Sequence, residues 1–373
     1  MVDLRRFFKV LNVVLTALVL AMAAPAGADD KAQLQQAIKA YQAGDYNQVV
    51  RLLKPLAQQG DTEAQNGLGS LYDNGQGVAQ DYKQAVAWYQ KAANQGHAGA
   101  QFNLGLKYYH GQGVAQNNKQ AAAWFQKAAN QGLAQAQYNL GSMYDKGRGL
   151  TQDYQQAKTW YQKAANQGLA QAQYSLGLMY YQGRGVLRNN KQAITWFQKA
   201  ANQGFSRAEN NLGIMHYYGL GVAQNYKQAA IWFQKAANQG FAEAQNHLGA
   251  MYRDGHGITQ NDKQAVAWFQ KAANQGFAEA QSNLGTMYDM GRGVAQSYEQ
   301  AMVWYQKAAN QGNAGAQFNL GLMYSLGHGV APDYQQAKAW WQKVLAQPAT
   351  ADNAEAKKSA RSNLQVLKDL GIQ

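Results

Sequence analysis

The sequence predicts an all-α protein, a solenoid built from helix-pair repeats of 36 residues. Tryptophan recurs every 36 residues from Trp88 to Trp340, and glycine recurs at the same spacing from Gly60 to Gly312. The segment at 81–96, DYKQAVAWYQKAANQG, returns with small changes in every unit. Similarity at a fixed spacing of about 20–50 residues indicates stacked repeats, which bury a continuous core between neighbours rather than one large globular core.

The N-terminal residues 1–28 predict a secretory signal peptide. MVDLRRFFK is basic, an apolar run of 13 residues follows, and AAPAGADD supplies small residues for cleavage. The apolar run is shorter than the roughly 20 residues of a membrane span, so no stable membrane insertion is expected after cleavage. Cleavage is expected after Ala28, with Ala26 as the alternative, and an uncleaved anchor is the competing interpretation. The signal predicts a bacterial periplasmic or secreted protein.

Each 36-residue unit predicts two helices joined by a glycine-rich turn. In residues 61–96, both helices show an apolar stripe with helical spacing. The stripe residues are Ala64, Leu68, Leu71 and Tyr72 in the first helix, and Ala85, Trp88, Tyr89 and Ala92 in the second. The GxG between them follows a helix rather than a strand and lacks the third glycine of a phosphate-binding loop, so it is interpreted as a turn.

The ends of the second helix match the chemistry of helix termini. Its first position holds Asp, Asn or Ser, whose side chains accept hydrogen bonds from the free N–H groups of the first turn. These residues are Asp81, Asn117, Asp153, Asn189, Asn225, Asn261, Ser297 and Asp333. Glutamine follows three residues later, as in a capping box. Lysine near the far end suits the helix dipole, and the closing glycine can adopt a positive φ.

The two ends of the array differ from its middle. Residues 31–60 predict an N-terminal tetratricopeptide-like helix pair with only a short turn at Gly44–Asp45. Eight repeats then fill residues 61–348. Residues 349–373 predict a C-terminal capping helix over about 352–370, because Leu364, Leu367 and Leu370 recur with helical spacing.

The residue pattern of the repeats resembles that of known repeat families. The pattern Leu68-Gly69-x-x-Tyr72 followed by Ala85-x-x-x-Tyr89-x-x-Ala92 resembles the tetratricopeptide motif, although the unit has 36 rather than 34 residues. The repeat pattern AEAQxNLGxMYxxGxGVxQDYxxAxxWYxKAAxQG resembles that of the Sel-one-like repeat family over about residues 61–348. This resemblance implies a right-handed α/α superhelix that scaffolds protein–protein contacts, without specifying the partner.

Composition and motifs argue against most catalytic and metal sites. The chain has no cysteine, which removes disulfides, thiolate nucleophiles, cysteine metal sites and an N-terminal lipid anchor. None of the six histidines pairs with another at metal-ligand spacing, and no HExxH occurs, so neither a metal nor a cofactor is predicted. No catalytic nucleophile and base are found together. The formal net charge is +13, but dispersed acidic residues argue against nucleic acid as a partner.

The candidate binding residues lie where the repeats differ from one another. On a helical wheel of about 100° per residue, positions 66, 70 and 73 and their equivalents point away from the apolar stripe of the first helix. In tetratricopeptide arrays such positions line the concave surface. The predicted partner-binding residues are Phe102, Leu106, Tyr109, Tyr138, Tyr174, Leu178, Tyr181, Ile214 and Tyr217. Alternatively, these side chains pack against adjacent first helices, since both interpretations predict apolar residues there.

Three functions follow from these observations. The leading hypothesis is a non-catalytic scaffold that binds a peptide or a helix of a partner protein through its concave face. The alternative is an envelope protein that binds peptidoglycan or another glycan, because tyrosines stack on sugars and the positive charge suits anionic polymers. The third is a β-lactamase-like enzyme, since a cysteine-rich branch of the family is associated with that activity. This chain lacks those cysteines and shows no Ser-x-x-Lys motif.

Overall fold

The computed structural model describes residues 28–372. Residues 1–27, and with them nearly all of the predicted signal peptide, lie outside the described residues, while Ala28 begins the first described helix. The chain divides into two compact units, the first ending at Arg188 and the second beginning at Asn189. Each unit is described by itself.

Nineteen α-helices lie between residues 28 and 372, and that part of the chain contains no strand. The helices of the first unit are α1 Ala28–Gln42, α2 Tyr46–Gln59, α3 Thr62–Asn74, α4 Tyr82–Asn94, α5 Ala98–His110, α6 Asn118–Asn130, α7 Ala134–Lys146, α8 Tyr154–Asn166 and α9 Ala170–Gln182. Those of the second unit are α10 Asn190–Ala201, α11 Ser206–Tyr218, α12 Tyr226–Asn238, α13 Ala242–Asp254, α14 Asp262–Asn274, α15 Ala278–Met290, α16 Tyr298–Asn310, α17 Ala314–Leu326, α18 Tyr334–Ala346 and α19 Ala354–Asp369.

Consecutive helices pack against each other along each unit, as in a stack of helix pairs. The predicted fold class, an all-α solenoid of 36-residue helix pairs, is therefore confirmed. The right-handed sense of the superhelix stays a prediction. We call the two helices of a repeat its first helix and its second helix, so that α5 and α6 form one repeat and α7 and α8 form the next.

The predicted helix ends agree with the structure. The side chain of Asn117 accepts a hydrogen bond from the Gln120 N–H at 3.0 Å and thus caps α6, and the other seven second helices are capped in the same way. At the far end of α4, Gly96 has a φ of 94°. The His97 N–H then bonds to the Ala92 carbonyl at 3.1 Å, which satisfies one of the last free carbonyls of the helix.

The second half of the predicted capping box does not form. In that motif the glutamine side chain would accept the N–H of the capping residue. Instead, the Asn117 N–H donates to the Tyr108 carbonyl of α5 at 2.8 Å, and the Asp81 N–H donates to the Tyr72 carbonyl of α3 at 2.9 Å. In seven of the eight repeats, all of which lie within residues 28–372, the same bond ties the start of the second helix to the end of its own first helix, the exception being the helix that follows Asn189. The glutamine stays exposed, as Gln120 does.

At the core of most repeats an aromatic ring of the second helix packs directly against a glycine of the first helix. Phe125 is 1% exposed, and a Cβ added at Gly105 would lie 2.7 Å from its ring. Tyr161 on Gly141 and Phe233 on Gly213 repeat this contact. The LG pair of the repeat is thus explained by packing, because only glycine leaves room for the ring to approach the helix backbone.

Two further contacts recur and were not predicted. Gln131 donates to the side-chain oxygen of the buried Gln101 and to the Gly96 carbonyl, both at 2.8 Å, so side-chain amides join one repeat to the next. The lysine near the end of each second helix also lies over the tryptophan three residues before it. The ammonium of Lys91 is 4.0 Å from the Trp88 ring centre, and the other seven pairs lie at 3.7–4.3 Å.

The terminal helices cover the ends of the array. Asp45 caps α2 by accepting the Gln48 N–H at 3.0 Å. At the other end, α19 packs on α17 and α18 and buries Leu367, which is 4% exposed. The helix ends at Asp369, so Leu370 lies beyond it and is 68% exposed, contrary to the predicted helix end.

Candidate partner-binding face

The candidate face consists of three columns of the first helices, the positions equivalent to 66, 70 and 73, and we call it the variable face. In the first unit it carries Phe102, Leu106 and Tyr109 on α5, Tyr138 on α7, and Tyr174, Leu178 and Tyr181 on α9. In the second unit it carries Ile214 and Tyr217 on α11. All nine side chains are half-buried, so they neither stand free in solvent nor lie sealed in the core.

Two of these residues continue the core. The Phe102 ring lies 5.7 Å from the buried ring of Phe125, and the Tyr138 ring lies 5.7 Å from that of Tyr161, both tilted. One side of each ring is therefore covered by the second helix of its own repeat. Each of these two side chains therefore packs against the core on one side, as the alternative interpretation predicted, and is still partly exposed, as the leading interpretation predicted.

The third column is covered by the loop of the following repeat. Arg148 is the middle residue of a GxG turn, and its Nη1 donates to the Tyr109 hydroxyl at 2.5 Å. In the next repeat Arg184 pairs with Asp145 at 3.2 Å and lies over the Tyr154 ring. The Arg188 guanidinium lies 5.8 Å from the Tyr181 ring. Guanidinium groups therefore border the aromatic part of the face.

The backbone of the GxG turn explains this reach. Gly147 and Gly149 have φ angles of 63° and 72°, which L side chains rarely adopt. A Cβ at Gly149 would lie 2.4 Å from the Asn118 carbonyl at the start of α6, so the loop rests directly on the preceding repeat. The residue between the glycines is thereby directed onto the variable face of that repeat.

In the second unit, Tyr217 belongs to an aromatic cluster at the same edge. Its hydroxyl lies 2.8 Å from His256 Nδ1, and the His256 ring stacks on Tyr226 at 4.9 Å. Burial, followed by the neighbouring Tyr218 and Tyr226, raises the pKa of Tyr217. The hydroxyl therefore remains protonated and able to donate at neutral pH.

On α13 and α15 the variable face is polar apart from Ala250, whereas on α17 it is apolar again, with Phe318 and Leu322. Asn246 is buried and accepts from Asn283 Nδ2 at 2.9 Å, and Arg253 Nη1 donates to Asn283 Oδ1 at 3.2 Å. Arg253 also forms a two-pronged pair with Asp254, at 2.8 and 3.0 Å. These side chains bind one another, which holds them at fixed positions along the face.

Comparison with known proteins identifies the repeat. The Sel1 repeat model matches eight consecutive segments, residues 62–97, 98–133, 134–169, 170–205, 206–241, 242–277, 278–313 and 314–346. Together these segments make up more than half of the chain. The chain belongs to the Sel1 repeat family. The predicted resemblance is thus confirmed, and a scaffold fold of the kind that commonly mediates protein–protein interaction is established.

Two solved structures are similar to this chain in sequence and in fold. A protective antigen with an SLR fold, present in uropathogenic Escherichia coli strains, is 33% identical, with a TM-score of 0.54. That match covers 90% of this chain and 88% of the other. A Sel1 repeat protein from Oxalobacter formigenes is 31% identical, with a TM-score of 0.61, covering 67% of this chain and 98% of the other. The comparison with curated proteins found no match.

Sequence reasoning missed a buried ion pair between the first two Sel1 repeats. Lys107 is 6% exposed and stands where the following repeats have Met143 and Met179. Its ammonium contacts the Asp73 carboxylate and donates to Gln112 Oε1 at 3.0 Å. The sequence signal was available, because a lysine interrupts a column of core methionines.

The histidines make separate local contacts and do not form a shared centre in residues 28–372. His97 caps α5 by accepting the Ala100 N–H at 2.9 Å on Nδ1, while its Nε2 lies 2.9 Å from Glu63. Burial lowers the pKa of His216, which stands where the neighbouring repeats have Tyr180 and Tyr252. Within residues 28–372 no cluster of three or more possible metal ligands occurs. Over the same range, no helix has the length and apolar character of a membrane span.

Proposed function

We propose that this Sel1 repeat protein is an exported, non-catalytic scaffold that binds a partner protein through the variable face of its first unit. The observation that carries the proposal is the half-burial of seven aromatic and aliphatic side chains on α5, α7 and α9. Large apolar residues that keep part of their surface in water, held in place by a packed core, are typical of interface anchors.

The chemistry of the face favours a peptide segment with both apolar side chains and hydrogen-bond acceptors. Tyrosine offers a large rigid surface with a polar tip. Arg148 is exposed, and only one of its nitrogens is engaged by Tyr109. Its other N–H groups suit a carbonyl or carboxylate oxygen of a partner. The variable face thus combines apolar anchors with directional donors.

Two observations support export to the periplasm or the cell exterior. The N-terminal sequence has the charged, apolar and small-residue regions of a signal peptide. The Escherichia coli relative, 33% identical to this chain, is a protective antigen, which fits a protein that leaves the cytoplasm. Fractionation of cells, with the mature N-terminus read by mass spectrometry, tests the export and distinguishes cleavage after Ala28 from cleavage after Ala26.

Partner binding is tested with a variant that removes anchors without opening the core. Tyr109, Leu178 and Tyr181 are changed together to serine, while the column of Phe102, Tyr138 and Tyr174 is kept because the rings of Phe102 and Tyr138 contact buried rings. Proteins crosslinked to the full chain in intact cells are quantified by mass spectrometry. We expect at least one protein to be captured by the wild type and lost, by about tenfold or more, with the triple variant.

The matched control removes three exposed apolar residues elsewhere. Ile231, Val303 and Tyr334 are 50%, 47% and 43% exposed on second helices, and all three are changed to serine. Capture should survive this change. If every captured protein is retained by the face variant, the proposed face is wrong. Sedimentation of the wild type with purified peptidoglycan would instead favour the glycan alternative, and nitrocefin hydrolysis would contradict the non-catalytic assignment.

A further inference from the structure

The second unit contains an open trough of about 1220 Å³, separate from the aromatic residues of the first unit. Its floor is formed by the beginnings of the first helices α13, α15 and α17, and its wall by the end of α18 and the segment 347–353. The residues that define its chemistry are Glu243, Asn246, Glu279, Gly315, Lys343 and Asp352. We call this site the trough.

The trough exists because the last repeat is closed differently. Between consecutive repeats only three or four residues join a second helix to the next first helix, as at 95–97 and 202–205. After α18 the connection is seven residues long, 347–353, and it begins with an extended backbone at Gln347. Position 315 is also glycine where the third and fourth repeats have Gln135 and Gln171, so no side chain fills the floor.

A buried amide is directed into the trough. Asn246 is 9% exposed and lines the floor. Its Oδ1 accepts from Asn283 at 2.9 Å, which fixes the orientation of the carboxamide. No residue between 28 and 372 accepts a hydrogen bond from its Nδ2, although this nitrogen is not sealed from solvent. A fixed, free donor in a depression is a contact point for a carbonyl oxygen.

The lining is acidic within a basic chain. Glu243, Glu279 and Asp352 contribute three carboxylates, whereas Lys343 contributes one ammonium, which already lies 3.7 Å from the Trp340 ring centre. The whole chain carries a formal charge of +13, so this negative site differs from its surroundings. The imidazole of His247, whose Nε2 lies 3.7 Å from Glu243 Oε1, and the hydrogen bond from Asn210 Nδ2 at 3.1 Å lower the pKa of Glu243, which keeps this carboxylate ionised.

We propose that the trough binds an extended, basic peptide segment of a partner protein. Lysine or arginine side chains would face the three carboxylates, and a backbone carbonyl would accept from Asn246. Phe277 and Pro348 offer apolar surface for the aliphatic stems of those side chains. The floor crosses three neighbouring helices, which at roughly 10 Å per step spans about 20 Å, the length of about six extended residues.

The proposal is tested by fluorescence anisotropy with the full chain and a labelled hexapeptide of alternating lysine and alanine, at about 50 mM salt. A glutamate–alanine hexapeptide of equal length is the comparison probe. Gly315→Gln places a side chain in the floor, and it should fold normally, because an added Cβ meets nothing closer than Asn313 Oδ1 at 3.5 Å. We expect this variant to bind the basic probe at least about tenfold more weakly than the wild type.

Charge is tested by the double change Glu279→Gln and Asp352→Asn, in which both residues are exposed. We expect binding about three- to tenfold weaker, with a smaller difference at high salt. The control is Glu299→Gln with Asp369→Asn, which alters net charge equally outside the trough and should change binding less than about twofold. Equal binding of both probes, no binding of the basic probe, or unchanged binding by Gly315→Gln would each overturn the proposal. This test does not depend on the face of the first unit.

Discussion

The buried pair of Lys107 and Asp73 predicts an unequal double-mutant cycle. Lys107 is almost fully enclosed, with a side chain 7% exposed, whereas the Asp73 side chain is 20% exposed. A buried ion pair stabilises little overall, because the cost of removing both charges from water offsets their attraction. Removing one partner is costly when the remaining charge stays buried. The two single changes should therefore differ from each other.

The structure sets the expected magnitudes. Asp73→Asn leaves the Lys107 ammonium buried with only neutral partners, Gln112 Oε1 at 3.0 Å and the Tyr82 ring at 4.9 Å. We expect the free energy of unfolding to fall by about 2–3 kcal/mol, which is at or below the lower end of the range for breaking a buried ion pair. Lys107→Met should cost about 1 kcal/mol or less, since Asp73 can hydrate and the equivalent Met143 is well packed.

The double variant, Asp73→Asn with Lys107→Met, should lie within about 1 kcal/mol of the wild type, which gives a coupling of about 2 kcal/mol. The assay is urea unfolding at pH 7, followed by tryptophan fluorescence and by circular dichroism. Coincident transitions are required for two-state values. A double variant more than about 3 kcal/mol less stable than the wild type would show that the pair is strongly stabilising and refute this reasoning.

Two further outcomes are expected. Gly113→Ala should destabilise by about 2–3 kcal/mol in urea unfolding, because its φ is 75° and a Cβ would lie 2.3 Å from the Tyr82 carbonyl. Gly132→Ala is its control, since φ is 93° with open space around it, and should cost only about 1–2 kcal/mol. Equal losses would show that the close approach is unimportant. Glu243→Gln should lower stability at pH 7 but less at pH 3, because the folded pKa of Glu243 is lowered and its stabilisation is lost as pH falls below the usual range. A deficit unchanged with pH would contradict the assigned contacts of Glu243 with His247 and Asn210.

The sequence was sufficient to predict those features that depend only on residues close together in one helix. Asn117 as a cap and Gly96 as a helix end were predicted from local chemistry, because the groups involved lie within one turn of each other. The capping box was only half right. The Asn117 N–H has a better partner in the Tyr108 carbonyl, and this partner is set by the turn between two helices rather than by a local motif.

The variable face was harder to predict than the helices. The helical wheel identified the columns, but half-burial depends on rings and loops that come from other helices. Phe102 is covered by Phe125, which follows 23 positions later, and Tyr109 is covered by Arg148, 39 positions later. The trough could not be predicted, because it results from the path of 347–353, where the repeat pattern ends.

The pairing between a first helix and the next GxG turn shows how Sel1 repeats can vary a binding surface without altering their core. Tyr109 with Arg148, Asp145 with Arg184, and Tyr217 with His256 are all separated by 39 positions. The two glycines fix the backbone of the turn whatever residue lies between them, so that residue can change freely. Each such pair sets the shape and the charge of one part of the surface jointly. Single substitutions within a pair should therefore not add up to the effect of changing both, and the pair is the unit in which the binding chemistry of this chain is best tested.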